Sequence, residues 1–295
     1  MIDEHAEILV DTVAAFIQQL YPCGPNDTEL YLTFDDKLAK VCDLPLNQLY
    51  RIRRNIYGLP DSGKAYYLAY SALLEAEGYS KTKHDPCLFV RRTSTGVTYC
   101  WCHVDDTYIS GTSKEEITSF LEMMKRSKFE ITVKNIVDSY IGIKINKLFD
   151  GRRELTQPKC LSTLFANYNI TDKPRVLTPV RPISQKPRDS SLCDATAYRS
   201  LLGGLIFLLR TRFDIAFAVS IAATKSQAPT ISDMDDLQYL FQTQDKGLIL
   251  EKCTPHEKLH LTCYVDASWL SHPDSRRQTG FAYPLVKQEL SMQNQ

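Results

Sequence analysis

The sequence lacks the features that mark a membrane protein, a disulfide-stabilised protein or a zinc protein. It contains no run of eighteen apolar residues and no basic-then-apolar leader, which a spanning helix or a secretory signal would require. Its nine cysteines are odd in number and include no C-x-x-C pair, so neither a disulfide framework nor a zinc cluster is indicated. We therefore expect reduced thiols in an intracellular protein.

The sequence also lacks net charge, internal repeats and low-complexity segments. Its 35 basic and 35 acidic residues cancel, so any site for a polyanion must be a local concentration of Lys and Arg. A chain of 295 residues is long enough for one large domain or two modest ones.

The sequence does contain one stretch, residues 99–110, in which side chains alternate between two faces as they do in a strand. Tyr99, Trp101 and His103 fall on one face, and Cys100 and Cys102 fall on the other. This period of two predicts a strand. Apolar residues resume after residue 106, so a second strand and a hairpin are predicted.

Two adjacent carboxylates, Asp105 and Asp106, stand where these strands meet. Aspartate favours turns over strands, which places the reversal here. Neighbouring carboxylates repel one another unless a cation compensates them, and oxygen ligands select Mg²⁺ or Mn²⁺. From these residues alone, two interpretations stay open, a metal site and a solvated acidic turn.

A third carboxylate, Asp11, interrupts the apolar run at residues 8–16. An acid in a buried strand is costly unless it is paired or bound to metal. Alternatively, Asp11 caps a helix from Thr12 to Leu20.

The remaining pattern mixes strands and helices before residue 150 and is mainly helical from 150 to 255. Ser113 and Glu116 are spaced as a capping box, and a glycine-rich turn before the helix at 64–76 is either a phosphate-binding loop or a plain connection. The predicted strands are near 30–32, within 49–63, in the segment that 84–90 leads into, and at 140–145, 261–266 and 280–283. The predicted helices are at 64–76, 114–128, 156–167, 198–217 and 233–246, with an extended connector at 174–187.

Seven motifs, in order, resemble the reverse transcriptase region of Ty1/copia-type LTR retrotransposon polyproteins, running into the start of their RNase H domain. The order and spacing of the seven, rather than any single one, carry the resemblance. The motifs are DTVAAF at 11–16, IYGL at 56–59, DPCLF at 85–89, VDD at 104–106, IGIKI at 141–145, RFDIA at 212–216, and DASW at 266–269 with RRQTG at 276–280.

The resemblance implies an α+β fold in three parts. Residues 1–149 would form a partial palm, an antiparallel sheet with packed helices. Only ten residues precede Asp11, so the fingers would be missing. Residues 150–255 would be a mainly helical thumb and connection, and residues 256–295 a truncated RNase H-like segment. Of the carboxylates that an RNase H domain uses, this segment would contain only Asp266. RNase H cleavage is therefore not expected.

The resemblance also implies a two-metal site. Asp11, Asp105 and Asp106 would hold two Mg²⁺ ions, with Mn²⁺ as an alternative. Two departures from the family pattern bear on this site. His103 stands where the family usually has an aromatic residue or leucine, and Pro60 and Gly63 replace the usual Lys and Pro.

Three residues are expected to bind the nucleotide. Phe16 would be the gate that excludes a ribose 2′-hydroxyl, and Gly58 and Ser62 would lie under the templating base pair.

The implied function is that of an RNA-directed DNA polymerase. Its expected partners are an RNA or DNA template with primer, dNTPs and the remaining polyprotein segments, with no membrane. Its expected location is the cytoplasm, in a virus-like particle, or the nucleus. The rival interpretation is a catalytically dead relic that acts at most as a nucleic-acid-binding or interaction module. A Mg²⁺-dependent phosphohydrolase is disfavoured, since no general base is evident.

Overall fold

The structure is a computed structural model. It describes residues 6–20, 29–168, 191–231 and 242–251, and the backbone of two strands at 258–268 and 279–289. The predicted connector and most of the predicted helix at 233–246 lie outside these residues. The chain divides into two compact units, 1–145 and 146–295. Within the described ranges, no helix has the length and apolar character needed to cross a membrane.

The strands up to residue 147 are β1 (Ala6–Thr12), β2 (Tyr31–Leu32), β3 (Tyr50–Arg51), β4 (Ser80–Lys81), β5 (Leu88–Arg92), β6 (Val97–His103), β7 (Asp106–Gly111), β8 (Ile131–Lys134), β9 (Ser139–Tyr140) and β10 (Ile143–Lys147). The helices of the first unit are α1 (Asp36–Val41), α2 (Ser62–Ala76) and α3 (Lys114–Arg126). Six of the strands form an antiparallel sheet with the strand order β4-β5-β6-β7-β1-β8.

Strand β1 lies between β7 and β8 and is antiparallel to both. Ile8, Leu9 and Val10 are all buried, as expected of a strand covered on both faces. The alternative prediction, that Asp11 caps a helix from Thr12 to Leu20, is wrong. Pairing with two neighbouring strands satisfies the backbone of β1, and this tertiary gain outweighs a local capping preference.

One face of the sheet packs against α2 and α3 and forms the main core. Helix α2 follows the predicted helix at 64–76 closely, and Gly78 after it has the left-handed φ of +85° typical of a helix end. Buried side chains at helical spacing face the sheet from both helices. They are Tyr66, Tyr70 and Leu74 from α2, and Ile117, Phe120, Met123 and Met124 from α3.

The predicted capping box on α3 forms only in half. The Ser113 side chain accepts a hydrogen bond from the Glu116 N–H, as expected. The Glu116 carboxylate does not turn back to Ser113. It is buried, and it accepts hydrogen bonds from the hydroxyls of Thr93, Thr95 and Thr98.

The predicted single strand at 140–145 is instead a tight hairpin of β9 and β10. Tyr140 pairs with Ile143, and the two residues between them, Ile141 and Gly142, have φ of +43° and +81°. Two positive φ values define a type I′ turn, which suits glycine but strains isoleucine. Beside this hairpin, Leu9, Val137 and Tyr140 form a small second core.

The second unit contains a helical cluster and several strands. Its elements are β11 (Arg153–Thr156), α4 (Pro158–Tyr168), α5 (Ala195–Leu208), a short 3-10 helix (Phe213–Ile215), α6 (Ala216–Thr224), β12 (Leu248–Leu250), β13 (Lys258–Ser268) and β14 (Thr279–Glu289). Strand β11 pairs with β12, and β13 pairs with β14. Because β11 and β12 lie between residues 150 and 255, the segment predicted to be mainly helical also contains strands. The predicted strands at 261–266 and 280–283 lie within β13 and β14.

The predicted helix at 198–217 is broken after Leu208 around a buried arginine. The Arg212 guanidinium is 1% exposed, and its Nε and Nη2 donate to the two carboxylate oxygens of Asp214 at 2.8 and 2.9 Å. Its Nη1 and Nη2 also donate to the carbonyl and hydroxyl oxygens of Thr243. Burying a charge requires such partners, and the break in the helix brings them to it.

Candidate active site

The predicted acidic hairpin is present at the junction of β6 and β7. Only Val104 and Asp105 form the turn, because Asp106 is already the first residue of β7. Val104 has a φ of +53°. A positive φ at the first of two turn residues is typical of a type II′ turn, in which glycine is preferred. A β-branched residue in this conformation is strained.

Strand β1 brings the third carboxylate to this hairpin. Asp11 lies directly opposite Asp106 in the β1–β7 register. The Thr12 N–H donates to the Asp105 carbonyl oxygen at 2.8 Å, which extends the contact to the turn. The fold therefore makes the backbone positions of the three predicted acids neighbours, although Asp11 is distant from the other two in the sequence.

The acids lie on the sheet face opposite α2 and α3. Directly opposed residues in an antiparallel pair share a face, so Asp11 and Asp106 point the same way, and both are half-buried. The register continues this row outward, with His103 opposite Asp106 on one side and Thr132 opposite Asp11 on the other. His103 and Thr132 are exposed, so the row is open to solvent.

The electrostatics of the row favour a cation. Burial raises the pKa of Asp106 above its usual value, and the neighbouring charges of Asp105 and Asp11 raise it further. Lys134 and His103 act in the opposite direction without cancelling the shift. Repulsion between carboxylates has this effect, and a bound cation would relieve it.

The donor set suits a divalent ion, because hard cations take carboxylate oxygens. These carboxylates do not form a preformed metal site. Among the residues that the structure describes, no three His, Cys, Asp or Glu side chains are gathered closely enough to hold a metal ion. The assignment of Asp11, Asp105 and Asp106 as metal ligands therefore stays a prediction, supported by register and charge.

Phe16, the predicted sugar gate, lies just beyond β1 and packs between two tyrosines. Its ring centroid is 4.7 Å from that of Tyr57 and 6.4 Å from that of Tyr66. The Tyr66 hydroxyl is 2.8 Å from the Thr12 hydroxyl, so Tyr66 ties α2 to the end of β1. Sequence reasoning missed these contacts, although the (i, i+4) spacing of Tyr66 and Tyr70 indicates a buried helix face.

Gly58 and Ser62 differ in how accessible they are. Gly58 is exposed and has a φ of +97°, a conformation that favours glycine. Ser62 is buried, and its hydroxyl donates to the Ile56 carbonyl oxygen at 2.8 Å. Ser62 thus holds the loop before α2 in place, and its predicted contact with a nucleotide is untested.

The predicted RNase H carboxylate, Asp266, lies on β13 opposite Phe281 of β14. Its side chain is outside the described part of the chain. Its role stays a prediction.

Residues 26–182, just over half of the chain, match the family described as reverse transcriptase (RNA-dependent DNA polymerase). This range contains Asp105, Asp106, Gly58 and Ser62. It begins after Asp11 and Phe16, and the pairing of β1 with β7 sets Asp11 opposite Asp106 within it.

Curated relatives extend the similarity over most of the chain. The chain is 29% identical over 235 residues to the retrovirus-related Pol polyprotein from transposon RE1 of Arabidopsis thaliana, covering 77% of this chain and 16% of that protein. It is 28% identical over 275 residues to the corresponding polyprotein from transposon RE2 of the same plant, covering 90% and 18%. It is 24% identical over 262 residues to that from transposon TNT 1-94 of Nicotiana tabacum, covering 83% and 19%.

The chain spans less than a fifth of the length of each of these relatives. The family match and the polyprotein relatives agree with the order of motifs in the sequence. The chain therefore belongs to the reverse transcriptase (RNA-dependent DNA polymerase) family, as the reverse transcriptase region of a Ty1/copia-type retrotransposon polyprotein.

Proposed function

We propose that this chain carries the catalytic palm of an RNA-directed DNA polymerase that works by two-metal nucleotidyl transfer. One observation carries the proposal: the register sets Asp11 directly opposite Asp106, with Asp105 in the adjoining turn. Family membership alone would not require this juxtaposition in a chain whose matched range begins at residue 26.

The carboxylates would hold the metal ions. When bound, two divalent ions lower the pKa of the primer 3′-hydroxyl and stabilise the charge on the leaving pyrophosphate. Asp11 and Asp105 would be the main residues that hold the ions, and Asp106 would support them. The open face of the sheet leaves these side chains accessible to a primer terminus and a triphosphate.

Residues around the carboxylates would select and place the nucleotide. The half-buried Phe16 ring, held by Tyr57 and Tyr66, would exclude a ribose 2′-hydroxyl. Gly58 has no side chain and would let the chain approach the templating base pair closely. Buried Ser62 would act indirectly, by keeping this loop in its conformation.

The proposal includes the wider setting. The partners would be an RNA or DNA template with primer, dNTPs and the other segments of a polyprotein, in the cytoplasm or nucleus. Residues 150–255 would serve as thumb and connection and grip the duplex by its backbone. The β13–β14 pair would be the start of an RNase H-like domain.

Primer extension on an RNA template with Mg²⁺ tests the proposal. We expect extension by the parent chain and a loss approaching background in Asp105→Asn, because an amide cannot replace an ionised metal ligand. Asp36→Asn is the matched control, since Asp36 is an exposed acid in the first turn of α1, and it should extend like the parent.

If the parent chain extends nothing with Mg²⁺ or Mn²⁺, the polymerase proposal fails. The chain would then be the non-catalytic relic, whatever its family.

A further inference from the structure

Tyr66 is a buried residue of α2 that contacts two points of the segment at the end of β1. Its hydroxyl oxygen lies 2.8 Å from that of Thr12, the last residue of β1, and both side chains are buried. Its ring centroid lies 6.4 Å from that of Phe16, and the two rings meet edge to face. Tyr66 therefore supports both ends of the segment 12–16, which joins β1 to the predicted sugar gate.

The backbone of this segment explains why such support matters. The chain leaves the sheet after Thr12 in a turn, in which Ala14 has a φ of +46°. Residues other than glycine rarely adopt this conformation. A contact at each end of the turn fixes its path, and with it the position of the Phe16 ring relative to β1.

Tyr70 offers an internal comparison, because it shares the packing of Tyr66 but not its hydrogen bond. It lies one turn later on α2, and the two rings stack with their centroids 5.6 Å apart. Both rings also meet Phe129 edge to face. Within the described residues, the Tyr70 hydroxyl makes no hydrogen bond of standard geometry. The bond to Thr12 is thus what distinguishes Tyr66, and a buried hydroxyl is costly unless it has such a partner.

We infer that Tyr66 is a positioning residue for Phe16, and that its hydrogen bond to Thr12 sets how strongly the site discriminates against ribonucleotides. The inference rests on the proposed function, because it requires Phe16 to face the sugar of the incoming nucleotide. A ring excludes a 2′-hydroxyl only if it cannot give way, and the chemistry of a site is sensitive to displacements of about 1 Å. The hydrogen bond limits such displacement, since it ties to β1 the ring against which Phe16 packs.

Single-nucleotide primer extension by the full chain tests the inference. On an RNA template with Mg²⁺, kcat/KM is measured for a dNTP and for the rNTP with the same base, and their ratio is the discrimination. The variants are Tyr66→Phe, Thr12→Val and the two combined, and the matched control is Tyr70→Phe. Each single change removes one hydroxyl group, and circular dichroism checks that every variant is folded.

We expect Tyr66→Phe to lower the discrimination about fivefold to tenfold, in line with the loss of one hydrogen bond, because the rNTP is used more efficiently relative to the dNTP. The double variant should fall no further than the single variants, since all three lack the same bond. Tyr70→Phe should keep the ratio of the parent. A variant that is merely destabilised would lose extension with both nucleotides and keep their ratio.

A second readout needs no catalysis. NMR of the chain labelled with ¹³C-phenylalanine reports the environment of the Phe16 ring, whose signal is identified by its absence in Phe16→Leu. This signal should shift or broaden in Thr12→Val, which adds no phenylalanine, because the Tyr66 ring loses its tie to β1.

Three results would overturn the inference while extension by the parent chain keeps the proposed function intact. They are an unchanged ratio in Tyr66→Phe, an equal fall in Tyr70→Phe, and a Phe16 signal that Thr12→Val leaves as it was. A parent that extends no primer with Mg²⁺ or Mn²⁺ would overturn both.

Discussion

Strand β6 has one carboxylate near each end, Glu116 and Asp106, and their surroundings shift the two pKa values in opposite directions. At the start of the strand, burial alone would raise the pKa of Glu116, but hydrogen bonds from Thr93, Thr95, Thr98 and Arg91 outweigh it and lower the pKa to about 2. At the other end, burial and two neighbouring acids raise the pKa of Asp106.

The contrast separates a structural acid from one suited to bind a cation. Glu116 already has its cation, Arg91, with Nη2 at 3.3 Å from the carboxylate, and its hydrogen bonds fix the β5–β6 turn to α3. Asp106 instead has one acid, Asp11, opposite it and another, Asp105, before it in the chain. A carboxylate that the fold leaves electrostatically uncompensated is a candidate for binding a ligand, because stability alone does not favour it.

The largest expected effect comes from removing the charge of the structural acid. Glu116→Gln should lower the free energy of unfolding by about 3 kcal/mol, because it leaves Arg91, whose side chain is only 11% exposed, without its charge partner. Urea denaturation measures this. Glu115→Gln is the matched control, since Glu115 is exposed on the same helical turn, and it should change stability by less than about 0.5 kcal/mol. Equal effects in the two variants would refute the structural role of Glu116.

A smaller effect of the opposite sign is expected at the acidic end. Asp106→Asn should raise the free energy of unfolding at neutral pH, because it removes repulsion with Asp105 and Asp11. Added Mg²⁺ should stabilise the parent chain more than this variant, since an ion that binds only the folded state adds stability. A variant no more stable than the parent would show that the repulsion is already relieved in solution.

The two acids should also respond to pH in opposite directions. The folded-state pKa of Glu116 is lowered, so its stabilising contribution is present above the ordinary value near 4.3 and is lost as the pH falls toward about 2. The folded-state pKa of Asp106 is raised, so stability from its protonated form is present in acid and is lost as the pH rises through that pKa. Acid titrations of Glu116→Gln and Asp106→Asn, each compared with the parent chain, separate the two contributions.

The smallest effect concerns the strained turn between β6 and β7. Val104→Gly should stabilise the chain by less than about 1 kcal/mol, because relief at a positive φ is partly offset by the added freedom of glycine in the unfolded state. Val104→Ala removes the branch at Cβ but keeps the Cβ atom that disfavours a positive φ, so it should stabilise the chain less than Val104→Gly. If both variants stabilise the chain equally, the backbone conformation is not the source of strain.

Features set by local pattern could be predicted from the sequence. The alternation of residues 99–103 gave the correct faces of β6, with Cys100 and Cys102 buried. The cap at Ser113 was correct. The hydrogen-bond partner of the Glu116 side chain was not predicted correctly, because Thr93 and Thr95 of the β5–β6 turn and Thr98 of β6 bind its carboxylate. Their position beside α3 depends on tertiary structure.

Features set by long-range pairing could not be read from periodicity. Asp11 lies within an apolar run that suits either a strand or a capped helix, and only pairing with β7 and β8 decides between them. Its place beside the hairpin acids was expected from family resemblance. The turn at Ile141 and Gly142 was missed because an isoleucine with positive φ gives no local signal, although the glycine beside it is such a signal.

The position of β1 between β7 and β8 has a consequence for biosynthesis. Its partners β7 and β8 leave the ribosome about a hundred residues after it, so an apolar strand with two unpaired edges must wait for both. During that interval Ile8, Leu9 and Val10 offer a template to any other nascent chain. The insertion that sets Asp11 opposite Asp106 thus also leaves β1 in need of protection, for example by a chaperone, until both partner strands have been made.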